Sequence, residues 1–446
     1  MRSAQTVAAG RSSPWLALGV LATAQFLVVL STSIVNVALP QIRTGLGLGS
    51  AGLSWVVNAY VLVFGALLLF GGRSGDVFGL RRVFLSGVAL FAVSSLAAGL
   101  APGAGTLIAA RAVQGVGAAL LAPTALALVL TRFTDARGRG AALGVWGAVS
   151  GAGGAAGVLL GGLLTGAFGW RAVFFLMVPS AVAVLVATWL LLPADRPRGG
   201  RLDVPGSVTA TAGLVALTYG LSDGRWVAVA AGVLLLVGFV VLQRRAADPL
   251  LPARILRVGS VTAANVLMTL LGAVWLGLFF FLPLYQQRTL GYGPVEVGAT
   301  QLPLALMITV SSWAAPRLAG RFPPRVVLAT GLLLLAVGLA WLSPVPADGS
   351  FLPTLLGPSL LIGTGVGTAF VQLTALSTAG VPAADAGLAG GLVNATRQIG
   401  GAVGLAALTA ISDRGGYGPA FLTTAALALL IALLSIVAIS RKEPTS

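Results

Sequence analysis

The chain has 446 residues, 57% of them hydrophobic and only 9% charged, and its 27 basic residues outnumber 11 acidic ones for a net charge of +16. Soluble domains carry roughly a quarter of their residues as charges, so the composition excludes a soluble globular protein and points to one that crosses a membrane many times. With no cysteine and no histidine, the chain cannot form a disulfide, a thiol nucleophile, an imidazole base or a His/Cys metal site.

Apolar runs long enough to cross a bilayer, about 20 residues for about 30 Å of hydrocarbon, recur from Trp15 onward. Helices follow, because lipid offers no partner to an open strand edge and the short two-periodic segments of a barrel are missing. Fourteen spans are predicted, over 15–40, 53–72, 83–101, 105–131, 140–166, 171–193, 205–221, 226–243, 259–284, 297–316, 326–343, 353–378, 386–411 and 418–440. The first is too long for a secretory signal and others follow it. Every connection is short, which leaves no length for a soluble domain.

Between the second and third spans lies Gly72-Arg73-Ser74-Gly75-Asp76-Val77-Phe78-Gly79-Leu80-Arg81-Arg82. It reads as a charged turn at one membrane surface: glycines permit close approach, Asp76 can accept bonds from free amides at a helix start, and the arginines can hold a carboxylate or a lipid phosphate. Placing the N-terminus inside puts twenty basic residues on the inner side and only Arg43, Arg171, Arg225, Arg288 and Arg414 outside. That asymmetry predicts cytoplasmic termini. The arginines are scattered through short loops, so no nucleic-acid partner is expected. Their preference over lysine, with abundant alanine and glycine, fits a GC-rich bacterial genome, and the expected location is the bacterial inner membrane.

Arg111 and Arg397 are different, since each lies inside a span. A charge near the bilayer centre costs about 2.5–3.5 kcal/mol, and such residues usually face a cavity. All eleven acids, in contrast, fall in loops or at helix ends. A proton-coupled path must then use a peripheral acid such as Asp76 or Glu296, or a proton carried by the cargo. The cavity itself should be neutral to positive and suit neutral or anionic compounds better than lipophilic cations. Its polar and aromatic candidates are Gln25, Ser31, Asn36, Asn58, Tyr60, Gln114, Trp146, Ser150, Trp275, Phe279, Tyr285, Gln301, Gln372, Asn394 and Gln398, whereas Trp55, Trp170 and Trp341 sit near span ends as interface anchors.

An internal repeat divides the chain. Laying Arg317 on Arg73 also lays Phe322 on Phe78 and Arg325 on Arg81, although Gly320 stands where Asp76 did. Two like-built halves are expected, with substrate handled between them near the midplane. They are a six-span bundle over 1–193 and another over 259–446, joined by a 194–258 linker with two extra spans.

The pattern Gly72-x-x-x-Asp76-x-x-Gly79-x-Arg81-Arg82 resembles the signature between helices 2 and 3 of the major facilitator superfamily of secondary transporters, and the six-two-six layout narrows the resemblance to its fourteen-span drug:proton antiporters. Ser33 to Pro40 is similar to the family's first-helix signature, and Leu107 to Gly117, containing Arg111 and Gln114, to its buried-arginine motif. Gly153, Gly157, Gly161 and Gly162 lie in a stretch similar to its antiporter motif; Asp203 to Gly206, Asp248-Pro249 and Asn394 to Gly401 complete the likeness. The resemblance implies an all-α membrane fold and proton-linked export of amphipathic drugs by a monomer. It implies a cytoplasmic latch of Gly72, Arg73, Asp76, Gly79, Arg81 and Arg82, with Asp76 meeting a helix start in the opposite half. Arg111, with Gln114 and Arg397, would act on protons or substrate. Two departures stand out: Ser31 where the family usually has an acid, and Val158 where it has a proline.

The first departure bears on proton coupling, and a facilitator or importer of a small metabolite is the alternative. No Gly-x-x-x-x-Gly-Lys loop is present, so ATP is not expected as the energy source, nor any cofactor. An intramembrane enzyme would need a catalytic set inside the spans, and the only lysine is Lys442 in the tail. The expected partners are a small-molecule cargo, protons and lipid.

Overall fold

The structure, a computed structural model, describes residues 13–440 other than 134, 194, 196, 198, 200–201, 247–248, 252, 257 and 382–385. Several residues used in the charge reading, namely Arg2, Arg11, Arg196, Arg198, Arg201, Arg257, Arg441, Lys442, Asp248, Asp385 and Glu443, lie outside the described residues.

Fourteen helical spans follow one another: α1 Pro14–Leu46, α2 Ser50–Phe78, α3 Leu80–Gly99, α4 Ala104–Arg132, α5 Ala136–Phe168, α6 Ala172–Leu191, α7 Val204–Asp223, α8 Trp226–Arg245, α9 Gly259–Arg288, α10 Pro294–Ala319, α11 Pro324–Leu342, α12 Phe351–Thr378, α13 Ala386–Gly415 and α14 Tyr417–Ser440. No strand occurs among the described residues. Thirteen of these helices are long and apolar enough to cross a membrane. The other, α13, has the length at 30 residues but carries Asn394, Arg397 and Gln398 among small side chains.

The fold is an all-α membrane fold of two six-helix bundles, α1–α6 and α9–α14, with α7–α8 as an added pair. Within the first bundle α4 packs on α2 and α3, and α1 on α5; in the second α13 packs on α9, and α12 on α10 and α11. The bundles meet where α2 lies along α13, α5 along α10, and α1 against α9. Helix α7 lies over the α2–α13 seam, and α8 stands outside it, packed mainly on α7.

Helices run past the predicted spans because charged and polar residues at the membrane surface can continue a helix that apolar composition alone would end. Most affected is the charged stretch after span 2, expected as a loop. Instead α2 continues through Asp76 to Phe78, α3 starts at Leu80, and the break is the single residue Gly79 at φ +99°. Only glycine takes that conformation without strain. The free amides at the start of α3 are satisfied by Asp195, beyond α6: Leu80 N donates to its Oδ2 at 2.5 Å and Arg81 N to its Oδ1 at 3.0 Å. The Arg81 guanidinium reaches back to the Trp189 carbonyl at 2.7 Å. Asp195 thus ties the start of α3 to the end of α6. Asp195→Ala is expected to lower stability by about 1–2 kcal/mol, read as a lower melting temperature of the detergent-solubilised protein; an unchanged value would contradict the cap.

The chain therefore has a Gly79 end and a Gly47 end. At the latter, Trp170 corrects an expectation: it is no lipid-facing anchor but is buried at 5% exposure, with the Arg171 guanidinium 4.3 Å from its ring centroid and Arg171 Nη2 donating to the Ala101 carbonyl at 3.0 Å.

Candidate functional site

A cleft of about 910 Å³, counting solvent at its mouth, lies between the bundles. Helix α1 contributes a polar stripe of Gln25, Thr32, Ser33 and Asn36 beside Val28 and Val29. These residues recur at three- and four-residue steps, which puts them on one helical face. Phe64 of α2 and Gly154 and Val158 of α5 complete the wall of the first bundle. The opposite wall has Trp275, Leu276 and Phe279 from α9, Gln301, Ala305 and Ile308 from α10, and Asn394, Arg397 and Gln398 from α13. The Trp275 and Phe279 rings lie with centroids 4.8 Å apart and their planes tilted by 45°.

Arg397 is the one charged side chain in this lining, and no carboxylate is there among the described residues. Its Nη2 donates to Asn394 Oδ1 at 2.8 Å, one turn back on the same helix, which fixes the guanidinium against the wall. Its Nε is buried with no partner. Gln301 is held by donating from Nε2 to Gln286 Oε1 at 3.0 Å, leaving its Oε1 buried and unbonded, as is Asn36 Oδ1.

The second intramembrane arginine sits elsewhere. Arg111 of α4 is fully buried inside the first bundle. Its Nε donates to the Val56 carbonyl at 3.0 Å, its Nη1 to Ser31 Oγ at 3.0 Å and to Gln114 Oε1 at 2.5 Å, and the Tyr60 ring lies 4.3 Å from its Cζ. Gln114 Nε2 passes the chain on to Ser95 Oγ at 2.7 Å, and Tyr60 Oη donates to the Val28 carbonyl at 3.1 Å. One guanidinium thus joins α1, α2 and α4, with α3 reached through Gln114. Ser31, where the family pattern has an acid, gives this cation a neutral acceptor. Arg111, Gln114, Ser31 and Tyr60 form a sealed network and do not line the cleft.

The remaining candidates are spread out. Asn58 is fully buried in α2 with neither amide atom bonded, Trp146 is half-buried on α5 against the apolar core, Tyr285 Oη donates to the Pro346 carbonyl at 2.8 Å, and Gln372 Nε2 donates to the Ala315 carbonyl at 3.0 Å, tying α12 to α10. None of these four lines the cleft. Sequence reasoning missed Thr32, Ser33, Phe64, Ala305 and Ile308; the seven-residue step from Gln25 to Thr32 and the four-residue step on to Asn36 carried a readable signal for the first of them.

The acids act at helix ends. Asp135 accepts from Gly138 N at 2.6 Å at the start of α5, Asp203 from Gly206 N at 2.8 Å at the start of α7, and Glu296 from Gly293 N at 2.8 Å at the start of α10. Gln243 of α8 also donates to Asp203 and accepts from Leu251 N, so Asp203 braces the extra pair. Asp413 accepts from Ser50 Oγ at 2.7 Å, joining the bundles at the Gly47 end. Of the latch candidates, Gly72, Arg73, Asp76 and Arg82 lie on the last turns of α2 and the first of α3, flanking Gly79 and Arg81.

Glycines of α5 set its close approach to α1 within the first bundle and, at the Gly47 end, to α10 across the junction between the bundles. A Cβ on Gly153 would lie 3.1 Å from Val29 Cβ, one on Gly157 would overlap Ser33 Oγ, and one on Gly161 would lie 2.7 Å from the Ile34 carbonyl, all on α1. Gly162 faces the other way, where a Cβ would lie 2.5 Å from the Pro294 carbonyl and 3.4 Å from Gly298 Cα on α10. Gln287 Nε2 of α9 donates to the Val37 carbonyl of α1 at 2.9 Å. Small residues allow this approach between helices.

The family description Major Facilitator Superfamily matches residues 21–405 and 317–446. Among curated proteins, the chain is 43% identical to a cephamycin export protein of Amycolatopsis lactamdurans, over 97% of this chain and 94% of that one. It is 43% identical to a puromycin resistance protein of Streptomyces alboniger, over 89% and 82%, and 36% identical to a tetracenomycin C resistance and export protein of Streptomyces glaucescens, over 91% and 77%. Among solved structures, a POT family transporter superposes with a TM-score of 0.74 at 15% identity, over 96% of this chain and 98% of that one. That likeness concerns the fold alone.

Proposed function

The chain belongs to the major facilitator superfamily, alongside its drug and antibiotic exporters, and from that premise we propose that it exports neutral or anionic amphipathic natural-product antibiotics by alternating access, coupled to protons. The observation that carries the substrate class is the cleft: an aromatic and aliphatic lining, a few amides, one guanidinium and no carboxylate. A mostly apolar site with a small number of polar anchors holds amphipathic ligands. A lipophilic cation placed there would meet Arg397 with no opposite charge to offset it. The relatives named for cephamycin and tetracenomycin C export support the direction of transport.

Alternating access draws support from the placement of the contacts. At the Gly47 end Gly162 meets Pro294, Gln287 meets Val37 and Ser50 meets Asp413. Breaking such neutral and single-charge contacts costs far less than parting a packed core, so the Gly47 end can open while the rest of the α2–α13 seam, where Gly65 packs on Gln398 and Gly391 on Leu69, holds.

Proton coupling has to use a group outside the cleft or a proton on the cargo. The test is efflux of a neutral antibiotic, chloramphenicol, from proteoliposomes with and without an imposed pH gradient. The proposal expects the gradient to raise the initial rate severalfold. A second reading, an uncoupled facilitator, is favoured by the same missing cleft carboxylate and expects equal rates; no movement in either condition would exclude both.

A further inference from the structure

We propose that the cleft selects organic acids: an anionic group of the cargo docks on Arg397, while an amide N–H or hydroxyl of the same molecule donates to Asn36 Oδ1 or Gln301 Oε1. This rests on the exporter reading and narrows its cargo. Three observations converge on it.

The first concerns charge. Two arginines are embedded in the spans; Arg111 bonds Val56, Ser31 and Gln114 inside one bundle under the Tyr60 ring, and its remaining Nη2, buried without a partner, lies away from the cleft where no cargo reaches it. Arg397 gives one bond to a neutral amide, has the Phe370 ring of α12 with its centroid 5.6 Å from its Cζ, and lines the cleft. A desolvated guanidinium with a buried Nε still open prefers a carboxylate, which can accept two parallel bonds.

The second is polarity. Asn36 and Gln301 are 2% and 1% exposed, and each presents an unbonded oxygen. The Gln286 amide fixes which way Gln301 points, since its Oε1 takes the Gln301 Nε2–H while its own Nε2 donates to Thr300 Oγ1 at 3.2 Å. Buried acceptors of this kind are costly unless a donor meets them. Gln301 shares the wall of Arg397, whereas Asn36 of α1 faces them both, so a molecule bonded to Arg397 and Asn36 spans the seam. The third is shape: the tilted Trp275–Phe279 pair and Phe64 give an aromatic flank for the apolar body.

The resulting cargo class is an amphipathic carboxylic acid with at least one N–H or O–H donor and an aromatic or bulky apolar body. N-dansyl-L-phenylalanine has all three features, and its methyl ester differs only in losing the charge. Fluorescence titration of the purified full chain with both is the test. The wild type is expected to bind the acid about tenfold or more tightly than the ester, the scale of a charge-assisted bond. Arg397→Gln should bring the two within about twofold, and Arg397→Lys should keep part of the preference. Circular dichroism and gel filtration check folding, and Arg397→Met replaces the glutamine variant if that aggregates.

Equal binding of acid and ester by the wild type overturns the proposal, as does an acid preference that survives in Arg397→Gln. Chloramphenicol efflux separates the two levels of the account. If it persists while the acid preference is absent, this inference alone falls; if nothing is moved, the exporter reading falls with it.

Discussion

Gly400→Ala is expected to abolish drug movement and to cut the yield of folded protein, a larger effect than any single side-chain deletion in the cleft. The reason is the crossing of α9 and α13. A Cβ on Gly400 would lie 2.0 Å from the Thr269 carbonyl oxygen, and one on Gly272 would lie 2.1 Å from the Arg397 carbonyl oxygen, so each glycine fits against the backbone of the other helix. Gly404 adds a third point, 2.2 Å from Ala273 Cβ, at the four-residue step that small-residue membrane interfaces use. Backbone cannot rotate away as a flexible side chain can. The helices must part, at a cost at or above the about 1–3 kcal/mol of ordinary overpacking, and Arg397, Asn394 and Gln398 move with α13. Gly238→Ala is the control, because a Cβ there meets nothing within 4 Å on the outer helix α8. The two variants are compared by gel filtration and by efflux from proteoliposomes; Gly400→Ala behaving like Gly238→Ala would show that the crossing is looser than described.

The second large effect is a change of cargo. Asn36→Asp keeps the shape of the side chain and puts a carboxylate into a cleft that has none. Export of a lipophilic cation such as tetraphenylphosphonium is expected to rise at least tenfold over the wild type, the order of one new close charge pair. Carboxylic-acid cargo should lose by a similar factor, since the new charge repels it across the cleft from Arg397. Side-by-side uptake into inverted vesicles measures both. A wild type that already moves tetraphenylphosphonium as fast as neutral drugs would show that the lining charge does not set selectivity.

Much of this was legible in the sequence, and the reasons differ by level. Thirteen of the spans could be found because lipid demands about 20 apolar residues for each crossing, α13 with its Asn394, Arg397 and Gln398 being the one less apolar than that, and the halves could be found because Arg317 to Arg325 echoes Arg73 to Arg81. Helix ends could not. Water at the membrane surface tolerates a helix carrying Arg73 and Asp76 as readily as a loop, so hydropathy stopped six residues short of Phe78. For the same reason α1 passes through Pro40 and ends at Leu46.

At the site, residue type was more readable than residue partnership. The expectation of a cleft without carboxylates follows from where the acids fall in the chain, and Asp135, Asp195, Asp203, Glu296 and Asp413 cap helices or join them at their ends. The two arginines were alike in sequence, each a lone charge in an apolar run. What separates them is Ser31 of α1 and Tyr60 of α2 converging on Arg111, a relation between distant positions that no single-helix period contains, whereas Gln114, three residues on along the same helix, was within reach of one. The Asp195 cap on α3 is of the same kind, since its partners lie more than a hundred positions earlier in the chain.

The most direct measurement uses the absence of cysteine from the chain. A Ser50→Cys, Asp413→Cys pair puts thiols at two positions whose side chains already touch, Ser50 Oγ donating to Asp413 Oδ2 at 2.7 Å where α2 meets α13 at the Gly47 end. Efflux of chloramphenicol is then followed before oxidation, after it, and after reduction. The account predicts that the disulfide stops transport and that dithiothreitol restores it, because the bundles must part at that end in every cycle; full-rate efflux with the disulfide formed would contradict it.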